Sequence, residues 1–121
     1  MATKDRCVSI VPYFKVPAGK MDAFKELCAQ FVKKSEPEPK CLYYGWSFCG
    51  DLASCREGYA DAQGLLVHLE SVGGLLDQAG KMAELVRVEI HGLEEELAQL
   101  REPPAGLNAQ FFTLEANGFR R

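Results

Sequence analysis

The chain has 121 residues, the size of one domain, and 47% of them are hydrophobic, enough for a packed core. A net charge of −3 excludes the basic footprint of a nucleic-acid-binding or anionic-membrane-binding protein. No apolar run approaches the roughly 18 residues needed to cross a bilayer. Residues 1–11, MATKDRCVSIV, lack an apolar core ahead of a cleavage site, so no signal peptide is expected and the location expected is cytoplasmic. The five cysteines, Cys7, Cys28, Cys41, Cys49 and Cys55, contain no C-x-x-C pair and no metal-ligand spacing. They read as reduced thiols, mostly buried, with Cys55 beside Arg56 the one candidate for a reactive thiol.

In chain order, Cys7 to Val16 alternates as a strand. Pro12 cannot donate to a ladder, which suggests an edge or a bulge. Pro17 fits the first turn of a helix expected from about Ala18 to Lys34, with Met21, Phe24, Leu27, Cys28, Phe31 and Val32 on one apolar stripe. Residues 35–40, SEPEPK, form a loop stiffened by two prolines. Cys41 to Cys49 is an aromatic strand that sends Leu42, Tyr44, Trp46 and Phe48 to one face. Gly50-Asp51 turns it into a hairpin with Ala53 to Ala60.

The period changes from two to 3.6 at Asp61. Leu65, Leu66, Leu69 and Val72 recur at helical spacing, and Asp61 is a good N-cap for that helix. His68 lies at the edge of the stripe. Gly73-Gly74 is expected to break the helix, leaving at most a short turn at Leu75-Leu76. Ala83 to His91 reads as a fourth strand, with Val86, Val88 and Ile90 on one face and Arg87, Glu89 and His91 on the other. A short amphipathic helix follows, marked by Leu93, Leu97 and Leu100 and ended by Pro103-Pro104. Ala109 to Ala116 reads as a fifth strand.

This order is a single α+β domain, residues 1–121, of the ferredoxin-like βαββαβ kind with an extra C-terminal helix and strand. Two helices cover one face of such a sheet. The other face is expected to carry Tyr13, Tyr59 and several aromatics of the second strand. A bare aromatic face needs a cover, and a second copy across a two-fold axis supplies one, so a homodimer is expected. An RNA-recognition motif shares the element order, but ASCREGYA lacks the basic-Gly-aromatic pattern and the chain is acidic. A heavy-metal-binding ferredoxin-like domain needs a cysteine pair that VPAGKM does not offer.

Three segments carry a resemblance to a known family. VPAGKMDAFKEL, CLYYGWSF and EGYADAQGLLVHL resemble the first helix, the second strand and the acidic-x-aromatic strand end with its His-Leu helix of the antibiotic biosynthesis monooxygenase-like proteins. The resemblance covers about residues 7–91 and implies a dimeric α+β barrel with a cavity. Characterised members of that family include cofactor-free monooxygenases, haem-degrading enzymes and isomerases. A first-strand Asn and a late helical His, which haem-degrading members use, are missing here, so haem degradation is not expected. The second His often found after the His-Leu pair is absent as well.

The candidate catalytic residues are His68, Arg87 and Glu57: His68 as a base, Arg87 or Tyr44 steadying an oxyanion, Glu57 either as an acid or paired with Arg56 or Arg87. Tyr44, Trp46, Tyr59 and Tyr13 are the candidate substrate-binding residues. Each has a plainer reading as a core or surface side chain. The expectation is a cofactor-independent monooxygenase or isomerase acting on a small aromatic, polyketide-like or enolisable molecule. The alternative is a non-catalytic carrier of an apolar ligand such as a fatty acid. No cofactor or metal motif is present, and neither nucleic acid nor membrane is expected as a partner.

Overall fold

The computed structural model describes residues 5–101, 108–115 and 117–121. Its elements run β1 (Val8–Lys15), α1 (Met21–Ser35), β2 (Cys41–Cys49), β3 (Leu52–Tyr59), α2 (Ala62–Ser71), α3 (Gly73–Met82), β4 (Glu84–Gly92), α4 (Glu94–Leu97) and β5 (Gln110–Thr113). One five-stranded sheet has the order β2-β3-β1-β4-β5, with every pair antiparallel except β4 and β5. This is the ferredoxin-like arrangement, with β5 extending the sheet of its own chain. Pro103, Pro104 and Ala116 lie outside the described residues, so the expected stop of the last helix and end of the last strand are not described.

Several expected boundaries shift for local reasons. Helix α1 starts at Met21, because Gly19 takes a left-handed φ of +85° that a helix cannot contain. Strand β1 is central, not an edge. The irregularity near Pro12 is real but sits in the partner: Tyr13 pairs with Arg87 and Phe14 with Leu85, which leaves Val86 of β4 as the extra residue of a bulge. A second bulge puts Leu42 outside the β2–β3 pairing, since Cys41 pairs with Tyr59 and Tyr43 with Gly58. Leu42 therefore leaves the face that Tyr44 and Trp46 share.

The glycine pair does not stop the helical path. Val72 donates to the His68 carbonyl and accepts from Leu76, both at 2.9 Å, so hydrogen bonding is carried from α2 into α3. Each helical Gly costs roughly 1 kcal/mol against Ala. Burial of Leu75 and Ala79 offsets that cost, since a fully buried Leu contributes about 1.5–3 kcal/mol.

Helices α1, α2 and α3 cover one sheet face, and the buried residues fall into two clusters. Phe14, Phe24, Leu27, Phe31, Val72 and Ala79 anchor the first, with Trp46 packed against it. Val8, Ile10, Tyr59, Leu65, Ile90 and Leu97 anchor the second. The open face differs from the expected one. Tyr59, fully buried, and Tyr44 and Trp46 lie under the helices. Strand pairing places Ser9, Val11, Tyr13, Tyr43, Ser54, Arg56, Arg87 and Glu89 on the uncovered side. Tyr43 lies flat across Gly58, where an added Cβ would sit 2.4 Å from the ring, and Arg56 stacks 4.7 Å from the Tyr43 ring centre.

Two carboxylates hold the start of α2. Asp61 accepts from the Gly64 amide at 2.9 Å, as its position before the helical period predicts. Glu96, 5% exposed, reaches back from α4, accepts from the Ala62 amide at 2.9 Å and is paired with Arg6 at 2.6 Å. Asp61→Ala is expected to lower stability by about 1 kcal/mol. Glu96→Ala leaves the Ala62 amide buried without an acceptor and is expected to cost more, about 1–3 kcal/mol. Urea unfolding of the two variants checks the order; equal, negligible losses would contradict it.

Candidate functional site

A narrow cavity of about 40 Å³ opens between sheet and helices, where the two core clusters meet. One water needs roughly 10–15 Å³ by the same measure, so the space holds about three. Ile10 and Val88 of one cluster and Phe14, Phe31 and Val72 of the other supply an apolar wall. Pro12, Leu85, Leu69 and Leu76 complete it. Its polar side chains are Glu57, His68, Tyr44 and Trp46.

His68 sits in the last turn of α2 and is 3% exposed. Its Nδ1 is 3.0 and 3.2 Å from the two carboxylate oxygens of Glu38, and 3.5 Å from the Ser35 hydroxyl. The Ser35 hydroxyl itself donates to the Phe31 carbonyl at 2.7 Å. A carboxylate only accepts, so Nδ1 carries the proton and donates to Glu38. Nε2 is left with its lone pair, 3.4 Å from Oε1 of Glu57. Burial holds the imidazole below its ordinary pKa, and the Glu38 charge partly opposes that shift.

Glu57 points under the helices from β3 and is 5% exposed. The Tyr59 hydroxyl donates to its Oε1 at 2.6 Å. Burial pushes the Glu57 carboxyl up to about 7, even though bonds from Tyr59 and Cys55 favour the charged form. At a pH a little below 7 the carboxyl therefore mostly keeps its proton, beside an imidazole whose charged form burial disfavours, which limits ion pairing in a dry site. Tyr59 and Tyr44 flank the imidazole with ring centres 5.0 and 5.5 Å away. Burial raises the pKa of both phenols, so they act as neutral donors.

The structure thus brings together His68, Glu57, Tyr44, Trp46 and Tyr59. It does not bring Arg87 or Tyr13 to them. Those two pair with each other across β1 and β4 on the open face of the sheet, so neither can steady an oxyanion in the cavity. Arg87 instead pairs with Glu89 two residues along its own strand, at 2.6 Å. Glu57 has no arginine partner among the described residues; both suggested partners, Arg56 and Arg87, are on the other face. His91 also points away, bonded to Glu89 at 3.2 Å and stacked on Phe112 at 4.6 Å. Cys55 is fully buried, and burial raises its thiol pKa, so it is not a reactive thiol.

Glu38 is the residue that reading along the chain does not find. It lies in the proline loop 30 residues before His68, where a glutamate looks like ordinary solvated surface. Pro37 and Pro39 on either side stiffen the loop, and a turn fixes it: Glu38 donates its amide to the Ser35 carbonyl at 3.0 Å and accepts from the Cys41 amide at 3.2 Å. Among the described residues, no group of three or more His, Cys, Asp or Glu side chains is arranged to hold a metal ion. No helix among them is long and apolar enough to cross a membrane.

No family model and no curated protein matches the chain. Solved structures do. MupZ from Pseudomonas fluorescens is 48% identical over 96% of this chain and 95% of its own, with a TM-score of 0.91. A Nitrosomonas europaea protein named after the antibiotic biosynthesis monooxygenases superposes with a TM-score of 0.68 at 17% identity, over 76% of this chain and 94% of its own. A similarly named protein from Caulobacter crescentus gives 0.65 at 19% identity, over 71% and 88%. The two distant structures share the fold, and the 48% identity to MupZ over nearly the whole length is kinship. The chain belongs to one family with MupZ, and that family has the fold of the proteins named as antibiotic biosynthesis monooxygenases.

Proposed function

We propose that the protein is a general acid–base enzyme of the isomerase kind, acting on a small, largely apolar molecule that carries oxygen. One observation supports this above the others: a carboxyl with a pKa near 7 lies 3.4 Å from the lone-pair nitrogen of a buried imidazole, in an otherwise apolar cavity. His68 Nε2 takes a proton from the substrate, and Glu38, on Nδ1, stabilises the imidazolium that forms. Glu57 gives its proton to a substrate oxygen on which charge develops, and the Tyr59 hydroxyl steadies the carboxylate it leaves. One proton leaves the substrate and one enters, so the sum is a rearrangement: a shift of a double bond, or the opening or closing of a ring at oxygen. Tyr44, whose burial keeps it protonated, is a second neutral donor on the same wall.

The fold-sharing proteins named as monooxygenases favour a second reading. In it, the carbanion made by His68 reacts directly with dioxygen. Oxygen uptake separates the two, since a rearrangement consumes none. A carrier of a fatty acid fits less well, because a cavity of about 40 Å³ has no room for a long alkyl chain. We also place a second copy of the chain on the open sheet face, where Val11, Tyr13 and Tyr43 are half-buried and Val86 and Phe112 are exposed. Sedimentation at micromolar concentration is expected to give twice the 13.4 kDa chain mass, and a monomer would remove the dimer from the proposal.

Deuterium exchange next to the carbonyl of small ketones, followed by mass spectrometry, tests the acid–base reading. The wild-type protein is expected to accelerate exchange. His68→Ala and Glu57→Gln are each expected to lose about 100-fold or more, in line with the 10²–10⁴ of general acid–base catalysis. Unchanged exchange in both variants would end the proposal.

The same pair sets a pH signature in stability. Between 4.5, the ordinary value for Glu, and about 7, the native state keeps the Glu57 proton that the unfolded chain has released. The native state binds more protons there, so stability falls as pH rises through that window. His68 acts in the opposite sense, because below 6.5 the unfolded chain takes a proton that the native imidazole resists. Comparing Glu57→Gln with the wild type isolates the first effect. The variant is expected to gain about 3 kcal/mol relative to the wild type between pH about 4 and 8, at 1.36 kcal/mol per pKa unit. Parallel stability curves would show that Glu57 is ionised in the native state at neutral pH.

A further inference from the structure

A space of about 40 Å³ is too small for a molecule that combines an apolar body with a reacting oxygen. Admitting one requires a wall to move. The helical wall is Leu69 at the end of α2, Val72 at the junction and Leu76 in the first turn of α3. Helix α2 is tied at both ends: Asp61 and Glu96 bond its first amides, and Lys34 of α1 donates to the Ser71 carbonyl at 3.1 Å. Helix α3 is held differently. Among the described residues, no side chain from Gly73 to Met82 makes a hydrogen bond or an ion pair, and Val72, at φ −99° and ψ 10°, supplies no side-chain cap. The hold of α3 on the core is apolar, through Leu75, Leu76, Ala79 and Met82. Two glycines stand where it begins. Neither Gly73 nor Gly74 has a positive φ, and an added Cβ would meet nothing within 4 Å at either. Alanine would fit both places and favour the helix. The resting structure therefore gives no reason for glycine here, whereas a hinge does, because glycine reaches backbone angles that a side chain forbids.

Resting on the acid–base reading, which puts the reacting molecule at His68, we propose that α3 is a lid over the cavity, hinged at Gly73 and Gly74, that lifts to admit substrate and settles to exclude water. Lifting α3 takes Leu76 out of the cavity wall. It leaves His68, Glu57 and Glu38 in place, since these belong to α2, β3 and the proline loop. The acid–base pair stays assembled while the space beside it enlarges. Opening exposes few buried side chains, Leu75 and Ala79 among the ten residues of α3, which keeps the open form within reach of the closed one. Such a motion falls in the range of microseconds to seconds.

The chain has two histidines, and together they test the lid in the full-length protein. Diethyl pyrocarbonate acylates a neutral imidazole at its lone-pair nitrogen and is too large for the resting cavity. His68 is 3% exposed, so its acylation reports opening, whereas His91, with a side chain 44% exposed, reports the reagent alone. Peptide mass mapping reads the two rates separately. In the wild type, His68 is expected to react slowly, at a rate that low urea barely changes, as a local opening does and global unfolding does not. Gly73→Ala and Gly74→Ala are expected to slow His68 about 5-fold each and about 30-fold together, the helix propensity of Ala over Gly, with His91 unchanged. An inert His68 in the wild type, a rate that climbs steeply with urea, or variants that gain stability without slowing His68 would each overturn the lid. Neither rate depends on catalysis, so a gated His68 in a protein that exchanges no ketone hydrogen would remove only the acid–base reading.

Discussion

A carboxyl and an imidazole buried together, with no cation beside them, set the terms for the rest of the molecule. Two such groups cannot both be charged in an apolar cavity at tolerable cost unless they pair closely and are fully hydrogen-bonded. At 3.4 Å they are near but not tightly joined, and the carboxyl settles the matter by holding its proton to about pH 7. Each remaining polar contact follows from that. Tyr59 gives the carboxyl a donor, Glu38 fixes which imidazole nitrogen bears hydrogen, and the turn between Pro37 and Pro39 fixes Glu38. The result is an acid and a base that coexist near neutrality, the condition under which both are useful at once.

The cavity exists because the core is made in two parts. Phe14, Phe24 and Phe31 pack one end, and Val8, Leu65 and Ile90 pack the other. Pro12 stands where β1 passes from one to the other, and the bulge at Val86 shifts the neighbouring strand by a residue at the same level. The helical layer changes there too, because α2 gives way to α3 at Val72, one turn beyond His68. Strand irregularity and helix junction fall opposite each other, and side chains from the two parts do not close the space between them.

The fold was legible wherever a periodicity ran long enough to name an element. Alternation from Val8 to Val16, the stripe from Phe24 to Phe31 and the change of period at Asp61 were sufficient for the ferredoxin-like order. The exceptions have physical causes. Gly73 and Gly74 are poor helix formers, but burial of Leu75 and Ala79 outweighs propensity, which is a local and weak effect. The bulge at Leu42 cannot be seen in a strand whose residues are nearly all large. Tyr59 looked like a surface aromatic only because the side of the sheet that the helices cover is not written in one strand alone. Within the candidate site, the proximity of Glu57, Tyr59 and His68 is legible because they sit on a strand and a helix joined by a single tight turn. The approach of Glu38 is not, since only the packing of a distant loop brings it to His68, and the charge of Arg87 says nothing about which face of the sheet it takes.

The proton on Glu57 is the most direct thing to measure. Glutamate labelled with ¹³C at the side-chain carboxyl, with Glu57→Gln used to assign the resonance, gives its titration in the native protein. A midpoint near 7, as the burial of this carboxyl requires, supports the account. A midpoint in the ordinary range of about 4 to 5 would mean an ionised Glu57 beside His68, and an acid–base pair poised near neutrality would no longer describe the site.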